Sequence, residues 1–432
     1  MNLYSVFQQH PVVCTDSRNC PEGSVFFALR GDNFDANLFA AKALQNGCAF
    51  AVVDNPEVVT DERYILVENV LEALQQLARE HRQALGTKIV GITGTNGKTT
   101  TKELIASVLK QKFNVHFTQG NLNNHIGVPL TLLQLTAAHE MAVIEMGANH
   151  PGEIKILSEI ACPDFGIITN VGKAHLEGFG SFEGVKKTKG ELYDYARTHG
   201  AGLFINSGNH FLMEMVQKAG FEADDKHLIK YNLNGSAANV NGKVTASAPF
   251  VSLSCVTNQG EFNADTRLIG DYNAENILAA ATIGNYFGLS NDEIKRGLET
   301  YEPKNNRSQL MVTDKNKLIV DAYNANPTSM KAAIGNFATM QVSPKAAILG
   351  DMLELGEYSA DEHQAIVSEL EKAGFEQVVL VGPEFVACKS GFHTFEKVEE
   401  ARVFLENNPI EAYYVLIKGS RGIKLEKVIE LL

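Results

Sequence analysis

The chain has 432 residues, 44% apolar and 21% charged, the composition of an ordinary globular protein long enough to bury sizeable cores without staples; at roughly 150 residues per domain it should form about three. Thirty-eight Lys and Arg stand against 51 Asp and Glu, a formal charge of −13 with no long basic block. That excludes a dedicated nucleic-acid binder but not a local phosphate site, because nests of backbone N–H groups hold anions on acidic proteins too.

The six cysteines (Cys14, Cys20, Cys48, Cys162, Cys255, Cys388) are scattered, with no CxxC pair. Neither a disulfide framework nor a zinc site is expected, and a reducing cytoplasm fits. The opening MNLYSVFQQHPVV lacks the basic and apolar regions of a secretion signal. No run approaches the ~18 apolar residues of a membrane span, so the expected location is cytoplasmic.

In chain order, residues 1–86 alternate short strand-like runs (SVFFAL, AFAVV, YILV) with helical ones, the last being VLEALQQLAREHRQAL, which Gly86 should stop. From Thr87 the pattern becomes strand, loop, helix. KIVGIT at 88–93 reads as a buried strand, and NVHFT, MAVIEMG and FGIITNV read as further strands. This alternation predicts a mainly parallel sheet covered on both faces. Residues 233–268 change texture to Ser, Asn, Gly and Val with a period near two, which predicts an antiparallel β insertion. NAENILAAATIGNYFG then gives an apolar helix. YEPKNNRS at 301–308 reads as a linker. Beyond it, KLIVDAY, AAILGDM, QVVLVG and YYVLIKGS are strands separated by helices, a second and smaller α/β unit. The expected fold is therefore α/β in three domains: a small α/β domain at 1–86, a central phosphate-loop domain at 87–304, and a Rossmann-like domain at 305–432.

GITGTNGKTT at 91–100 lies between a strand and a helix. Gly94, Thr95, Asn96, Gly97, Lys98, Thr99 and Thr100 would turn backbone N–H groups towards a phosphate at a helix N-terminus. Lys98 can reach the outer phosphates and the Thr99 hydroxyl can meet magnesium. The strict G-x-x-x-x-G-K-[ST] pattern fails because Ile92 stands at its first position. With no G-x-G-x-x-G and a lysine suited to terminal phosphates, the expected ligand is ATP rather than a dinucleotide. Glu145 closes the strand AVIE, a place where ligand groups gather in α/β sheets and where a carboxylate suits magnesium. His175 follows another such strand. Taken alone such a histidine is more often structural or exposed than a ligand, and its place after a strand that neighbours the phosphate strand in sequence order shifts the reading towards function. In KKTKGEL, spacing cannot separate Lys186, Lys187 and Lys189. No Asp closing an apolar strand stands near the loop, which argues against a nucleotide-driven switch.

GTNGKTT, GNLNNHIGVPLT (120–131), EMGANHPGEI (145–154), TNVGKAHLEGFGS (169–181), GDYNAEN (270–276), DAYNANPTSM (321–330), LGDMLELGEYS (349–359) and KGSR (418–421) follow one another here. In that order they resemble the Mur ligases, and the resemblance runs from TDSR at 15–18 to KGSR. It implies a three-domain enzyme that uses ATP and two Mg2+ ions to activate the carboxylate of a UDP-N-acetylmuramoyl-tripeptide (UDP-MurNAc-tripeptide) as an acyl phosphate. The amine of D-alanyl-D-alanine then attacks, in a cytoplasmic monomer. The absence of D-N-P-R from the C-terminal third sets aside relatives that add a diamino acid, and GTNGKTT in place of GTNGKGS sets aside folylpolyglutamate synthases.

Carried over by resemblance, Lys98, Glu145, His175 and Lys189 are the catalytic residues, and Thr99, Glu145, His175 and Lys189 bind the metals. Lys189 is singled out because it stands 14 residues after His175, matching the family lysine that CO2 carbamylates; its amine must first be neutral, so its pKa should be lowered. Asn273 matches the residue that reads adenine. Arg307 matches a linker arginine beside the ATP phosphates, although Asn306 replaces the usual Gly before it. Asp321 matches a residue holding ATP across the closing cleft. Ser17 and Arg18 are expected at the uridine diphosphate, and Asn123, Asn124 and His125 at the sugar and peptide. Tyr323, Asn324 and Asn326 are expected at the incoming dipeptide. One departure is Asp35-Ala36-Asn37, where the family usually has D-G-H.

Overall fold

In the computed structural model the described residues are 2–235, 238–304 and 306–432. The residue opening the expected third domain, 305, and two positions of the expected β insertion, 236–237, lie outside them. Among the described residues the strands form three main sheets and a two-stranded hairpin.

The first unit contains β1 (Val13–Cys14), β2 (Val25–Phe27), β3 (Arg30–Gly31), β4 (Phe34–Asp35), β5 (Phe50–Val53) and β6 (Tyr64–Leu66). The sheet β1-β2-β5-β6 is parallel throughout, and β3 and β4 make the hairpin. Asn37, at the departure noted above, donates its amide to Asp35 Oδ1 at 2.7 Å and to Asp54 Oδ1 at 2.8 Å, so it fastens the hairpin to the end of β5. The helix Val70–Leu85 begins where Asn69 Oδ1 accepts the Glu72 N–H, and it ends at Gly86 with φ of 66°. It buries Leu74, Leu77 and Ala78. Its Arg82 reaches the central unit, where Nη2 lies 2.7 Å from Asp164 Oδ2 and 3.0 Å from the Cys162 carbonyl. One hydrophobic core therefore runs from Val6 and Phe7 through Leu74 to Ile89 and Val128.

The thiols do not stay scattered. Cys14 and Cys20 are joined as a disulfide, which corrects the expectation above. A turn in which the Asp16 carbonyl accepts the Asn19 N–H at 3.1 Å folds the loop back, and this brings together two residues that form no CxxC.

The central unit holds β7 (Lys88–Thr93), β8 (Val115–Phe117), β9 (Met141–Glu145), β10 (Phe165–Ile168), β11 (Gly202–Asn206), β12 (Leu228–Leu233), β13 (Val240–Ala246), β14 (Ser252–Thr257) and β15 (Gly260–Asp265). Their order is β15-β14-β13-β12-β11-β10-β7-β9-β8. The run β8 to β13 is parallel, and its inner strands are nearly continuous apolar sequence because both faces are covered. The segment expected as a separate antiparallel insertion instead extends this sheet. β13 pairs in parallel with β12, and β14 and β15 continue antiparallel from it. After β7 the chain goes to β8 and β9 on one side, then crosses to β10 on the other. The loop leaving β7 thus sits at the switch point where an open α/β sheet offers a crevice.

The third unit holds β16 (Gln309–Val312), β17 (Lys317–Asp321), β18 (Lys345–Gly350), β19 (Gln377–Val381), β20 (His393–Phe395) and β21 (Tyr414–Lys418), in the order β16-β17-β21-β18-β19-β20. Only β16 runs antiparallel to its neighbour. β21 inserts between β17 and β18, so the DAYNANP, LGDM and KGSR segments leave the sheet side by side, with Asp321 in register with Lys418. Among the described residues, no helix is long and apolar enough to cross a membrane.

Arg82→Met should lower stability by about 2 kcal/mol, the scale of losing hydrogen bonds to a charged group. The deficit should shrink, without vanishing, in an Arg82→Met/Asp164→Asn double variant relative to Asp164→Asn alone, because Arg82 also donates to the Cys162 carbonyl. Denaturant unfolding of the four proteins measures this.

Candidate active-site cleft

The switch-point loop and the DAYNANP loop face each other across a cleft of about 1010 Å³. The floor is the phosphate loop. Gly94 has φ of 147°, and a Cβ there would lie 2.0 Å from Thr169 Oγ1. Gly97 has φ of 77°, and its Cβ would lie 2.8 Å from Asn276 Oδ1. Both positions thus need glycine for conformation and for space. The loop is laced to the end of β10: Thr95 N–H donates to the Asn170 carbonyl at 2.9 Å, Asn96 N–H donates to Asn170 Oδ1 at 3.0 Å, and Thr169 Oγ1 donates to the Asn96 carbonyl at 2.6 Å. The helix Lys98–Leu109 starts directly behind Gly97, and no side chain caps its first N–H groups. Those donors and the partial positive charge of the helix end remain for an anion. Lys98 Nζ rests on the Gly94 and Thr95 carbonyls at 2.7 and 3.1 Å. Removal from water pushes its pKa down to about 8, against the favourable charge of Glu145.

Glu145 ends β9 and is 2% exposed. Asn123 Nδ2 holds its Oε1 at 2.8 Å, while Oε2 is buried without a hydrogen-bond partner, 3.6 Å from Lys102 Nζ. An orphaned buried carboxylate oxygen beside the Thr99 helix is what a hard cation would satisfy, so the residues present fit magnesium. Lys102 was not foreseen. Its only sequence signal is being one helical turn beyond Lys98. His175 adopts a left-handed φ of 49° at the start of a short helix, and its Nδ1 meets Glu354 Oε2 from the third unit. That contact holds the Glu354 carboxyl below its usual range.

Burial and pairing together distinguish the three lysines that spacing could not: Lys186 and Lys189 are both buried, Lys187 is not. Lys186 is paired with Glu183 at 2.6 Å and Lys187 is exposed, whereas Lys189 is 2% exposed with Nζ donating to the Ala148 carbonyl at 3.3 Å. Burial pushes the Lys189 ammonium well below the usual lysine range, and the Lys98 charge adds to this. Lys189 lies beneath the cleft wall that Ala148 lines.

The opposite wall is built by the third unit. Asp321 Oδ2 is 2.5 Å from Lys418 Nζ, and its Oδ1 accepts the Ser308 N–H at 3.3 Å. Arg307 stacks 3.8 Å over the Tyr323 ring, and Arg421 lies 5.7 Å from that ring. Asn324 Oδ1 accepts the Ala325 N–H at 2.9 Å. Asn326 Oδ1 caps the helix Pro327–Thr339 through the Ser329 N–H, and its Nδ2 donates to Asn96 Oδ1 at 2.7 Å. Its amide is thereby occupied as a fastener between the two walls. A second fastener is Glu362, which receives Lys173 of the central unit at 2.7 Å and Lys331 at 3.3 Å. Lys418, Arg421, Glu354 and the Lys173–Glu362 pair carry no local sequence signal of partnership, since each partner lies far along the chain.

The cleft brings together Thr95, Asn96, Gly97, Lys98, Thr99, Thr100, Asn123, Asn124, His125, Glu145, His175, Asn273, Arg307, Asp321, Tyr323, Asn324 and Asn326. Asn273 lines it from a buried position, its amide held by the Ile269 carbonyl at 2.8 Å and by Asn276 at 2.9 Å. Asn124 Oδ1 accepts the Ile126 and Gly127 N–H groups, and the His125 carbonyl accepts Gln75 Nε2 from the first unit. Ser17 and Arg18 do not line this cleft. They sit on an exposed loop beside β1, where Arg18 pairs with Asp16 at 2.8 Å.

Fold and cleft define a phosphate-loop α/β protein with a nucleotide-sized site between two sheets. Residues 92–284 match the Mur ligase middle domain and residues 306–421 match the Mur ligase, glutamate ligase domain. The chain is 33% identical to the UDP-N-acetylmuramoyl-tripeptide--D-alanyl-D-alanine ligase of Bacillus subtilis, covering 97% of this chain and 92% of that protein. It is 35% identical to the ligase of the same name from Haemophilus influenzae, covering 96% and 92%. Among solved structures it superposes on MurF from Acinetobacter baumannii with a TM-score of 0.87 at 31% identity, covering 97% and 92% of the two chains. It also superposes on the MurF ligase from Thermotoga maritima in complex with ADP, with a TM-score of 0.87 at 27% identity, covering 100% and 98%. The chain belongs to the Mur ligase family.

Phosphate oxygens brought to Lys98 favour its charged form and raise a pKa that starts near 8. ATP binding at about pH 8.5 should therefore take up protons. Calorimetry in two buffers of different ionisation enthalpy reads this uptake, which should vanish in Lys98→Met. Equal apparent enthalpies in the two buffers for the unaltered protein would contradict it.

Proposed function

We propose that the chain is an ATP-dependent ligase that joins D-alanyl-D-alanine to UDP-N-acetylmuramoyl-tripeptide, giving the pentapeptide precursor of peptidoglycan, ADP and phosphate. The observation that carries the reading is the cleft itself, a phosphate loop facing DAYNANP across one cavity, in a chain similar over nearly its whole length to ligases of that name. The division into a precursor-binding domain at 1–86, an ATP-binding domain at 87–304 and an acceptor-binding domain at 305–432 belongs to the same reading.

In this mechanism the tripeptide carboxylate attacks the γ-phosphorus of ATP, giving an acyl phosphate and ADP. The dipeptide amine then adds to the acyl carbon, and the tetrahedral intermediate expels phosphate. Negative charge moves through both steps, so preorganised donors supply most of the stabilisation. The N–H groups of the 94–100 loop and Lys98 hold the β- and γ-phosphates, Arg307 adds a cation from the opposite wall, and Asn273 reads the adenine. Asp321, oriented by Lys418, holds the nucleotide from the third unit. Magnesium bound by Thr99, Glu145, His175 and carbamylated Lys189 would neutralise the transferring phosphoryl group and the acceptor carboxylate. Lys189 suits carbamylation because burial favours its neutral amine, which adds to CO2 with loss of one proton. Asn123 holds one Glu145 oxygen and so fixes the carboxylate, leaving the other oxygen without a hydrogen bond. Tyr323 and Asn324 face the dipeptide, with Asn326 holding their loop to the phosphate loop. Asn124 and His125 face the sugar and peptide, and Ser17 and Arg18 the diphosphate. Closing the two walls excludes water from the acyl phosphate. That one chain carries every group named supports a monomer, and a UDP-linked substrate supports a cytoplasmic reaction.

Mass spectrometry of a reaction with ATP, the UDP-tripeptide and D-alanyl-D-alanine should show the pentapeptide product. No product under any of these conditions would sink the assignment. Lys189→Ala should lose activity, and short-chain carboxylic acids should restore part of it by replacing the carbamate. Full activity in that variant would remove the carbamate from the mechanism.

A further inference from the structure

Three of the chain's six cysteines converge on one point of the first unit. Cys14 ends β1, Cys20 closes the loop that leaves it, and Cys48 stands just before β5. Their sulfurs all lie within 4.8 Å of one another. Cys14 and Cys20 are bonded, and Cys48 Sγ lies 4.0 Å from Cys14 Sγ. The buried Ser24 hydroxyl lies 3.4 Å from Cys48 Sγ and 3.8 Å from Cys14 Sγ, placed to donate to whichever sulfur is a thiolate. Cys162, Cys255 and Cys388 are free, so the convergence is particular to this corner. Cys14 and Cys48 are buried and Cys20 is partly exposed, which gives an oxidant one point of entry.

The corner is coupled to a loop with a proposed role. Between Cys14 and Cys20 runs the turn bearing Ser17 and Arg18. Asn46 Nδ2 holds the Ser17 carbonyl at 2.9 Å from a position two residues before Cys48. A change of bonding among the sulfurs therefore pulls on both ends of that turn.

We propose that Cys14, Cys20 and Cys48 form a thiol–disulfide exchange site, oxidised by peroxides, that alters the grip of the Ser17–Arg18 loop on the UDP end of the precursor. The Cys20 thiolate attacks one oxygen of hydrogen peroxide, the O–O bond breaks, and Cys20 becomes a sulfenic acid as hydroxide leaves and takes a proton. The Cys14 thiol then attacks the sulfenic sulfur, the S–S bond forms, and water leaves. In sum, two thiols and one peroxide give one disulfide and two waters. The Cys48 thiolate can next attack Cys14 Sγ, forming a Cys14–Cys48 bond and releasing Cys20 as thiolate. A dithiol reductant returns all three to thiols and is itself oxidised to a disulfide. Burial pushes the Cys48 thiol up, which keeps it protonated at rest and leaves the first oxidation to Cys20.

The effect on catalysis rests on Ser17 and Arg18 touching the diphosphate; the sulfur chemistry does not. The full chain is reduced with dithiothreitol, freed of it without air, and treated with hydrogen peroxide. Non-reducing peptide mapping should find a Cys14–Cys20 link and a smaller share of Cys14–Cys48 link that Cys48→Ser abolishes, whereas Cys20→Ser, lacking the point of entry, should form neither. The KM for the UDP-tripeptide should differ at least threefold between reduced and oxidised protein and return with dithiothreitol, while the KM for ATP stays constant. In Cys20→Ser this difference should shrink. Six free thiols after peroxide would overturn the proposal. So would a link that leaves the precursor KM unchanged, since the disulfide would then be inert. Stoichiometric zinc in the reduced protein, shielding three thiols from a maleimide, would reassign the corner as a metal site. If neither the reduced nor the oxidised protein joins the two substrates, the functional reading above fails, and the mapped links still decide the sulfur chemistry.

Discussion

The 2.7 Å hydrogen bond from Asn326 to Asn96 fastens the carboxyl end of one parallel sheet to the phosphate loop of another. The rest of the site depends on that juxtaposition. Neither sheet alone holds a complete set of groups. The central unit has the phosphate donors, an orphaned carboxylate oxygen and a buried lysine. The third unit has Asp321 with its lysine partner and the Arg307–Tyr323 stack. The His175 contact with Glu354 and the Lys173 contact with Glu362 set the same approach from two further points. Three separate contacts fix the relative position of two rigid bodies far better than one.

Charge in the cleft is arranged to be unsatisfied until a ligand arrives. Lys98 rests on carbonyls and has lost part of its affinity for a proton, and burial lowers that of Lys189 as well. Glu145 keeps one oxygen without a partner although it is buried. Each of these states costs folding free energy, since buried polar groups normally find hydrogen bonds. Each is relieved by a phosphate, a metal ion or a carbamate. The site thus holds its groups in place before the substrate enters, at some loss of stability.

Much of the fold was legible because glycine, apolar runs and strand ends are local signals. KIVGIT, the glycines of GTNGK and the strand-ending Glu145 could be placed from a few residues each. The strands Gln309–Val312 and His393–Phe395 were missed because short edge strands lack a continuous apolar run. Lys189 could not be told from Lys186 and Lys187 by spacing; burial sets it apart from Lys187, and the contact with Glu183 sets Lys186 apart. Asn326 read as a substrate group because an amide in a loop has no visible partner in sequence, and its partner Asn96 lies 230 residues away. The cysteine corner was hidden for the same reason. Sequence offers CxxC as a cue, whereas a turn at Asp16 and the strands β1 and β5, which flank β2 in one sheet, make the contact here.

The account holds that the two walls form one site in which phosphoryl transfer waits for the acceptors. Phosphate release from ATP, measured with the UDP-tripeptide and D-alanyl-D-alanine omitted in turn, tests this most directly. Sustained release is predicted only when both are present. Release at the same rate from ATP alone would contradict it.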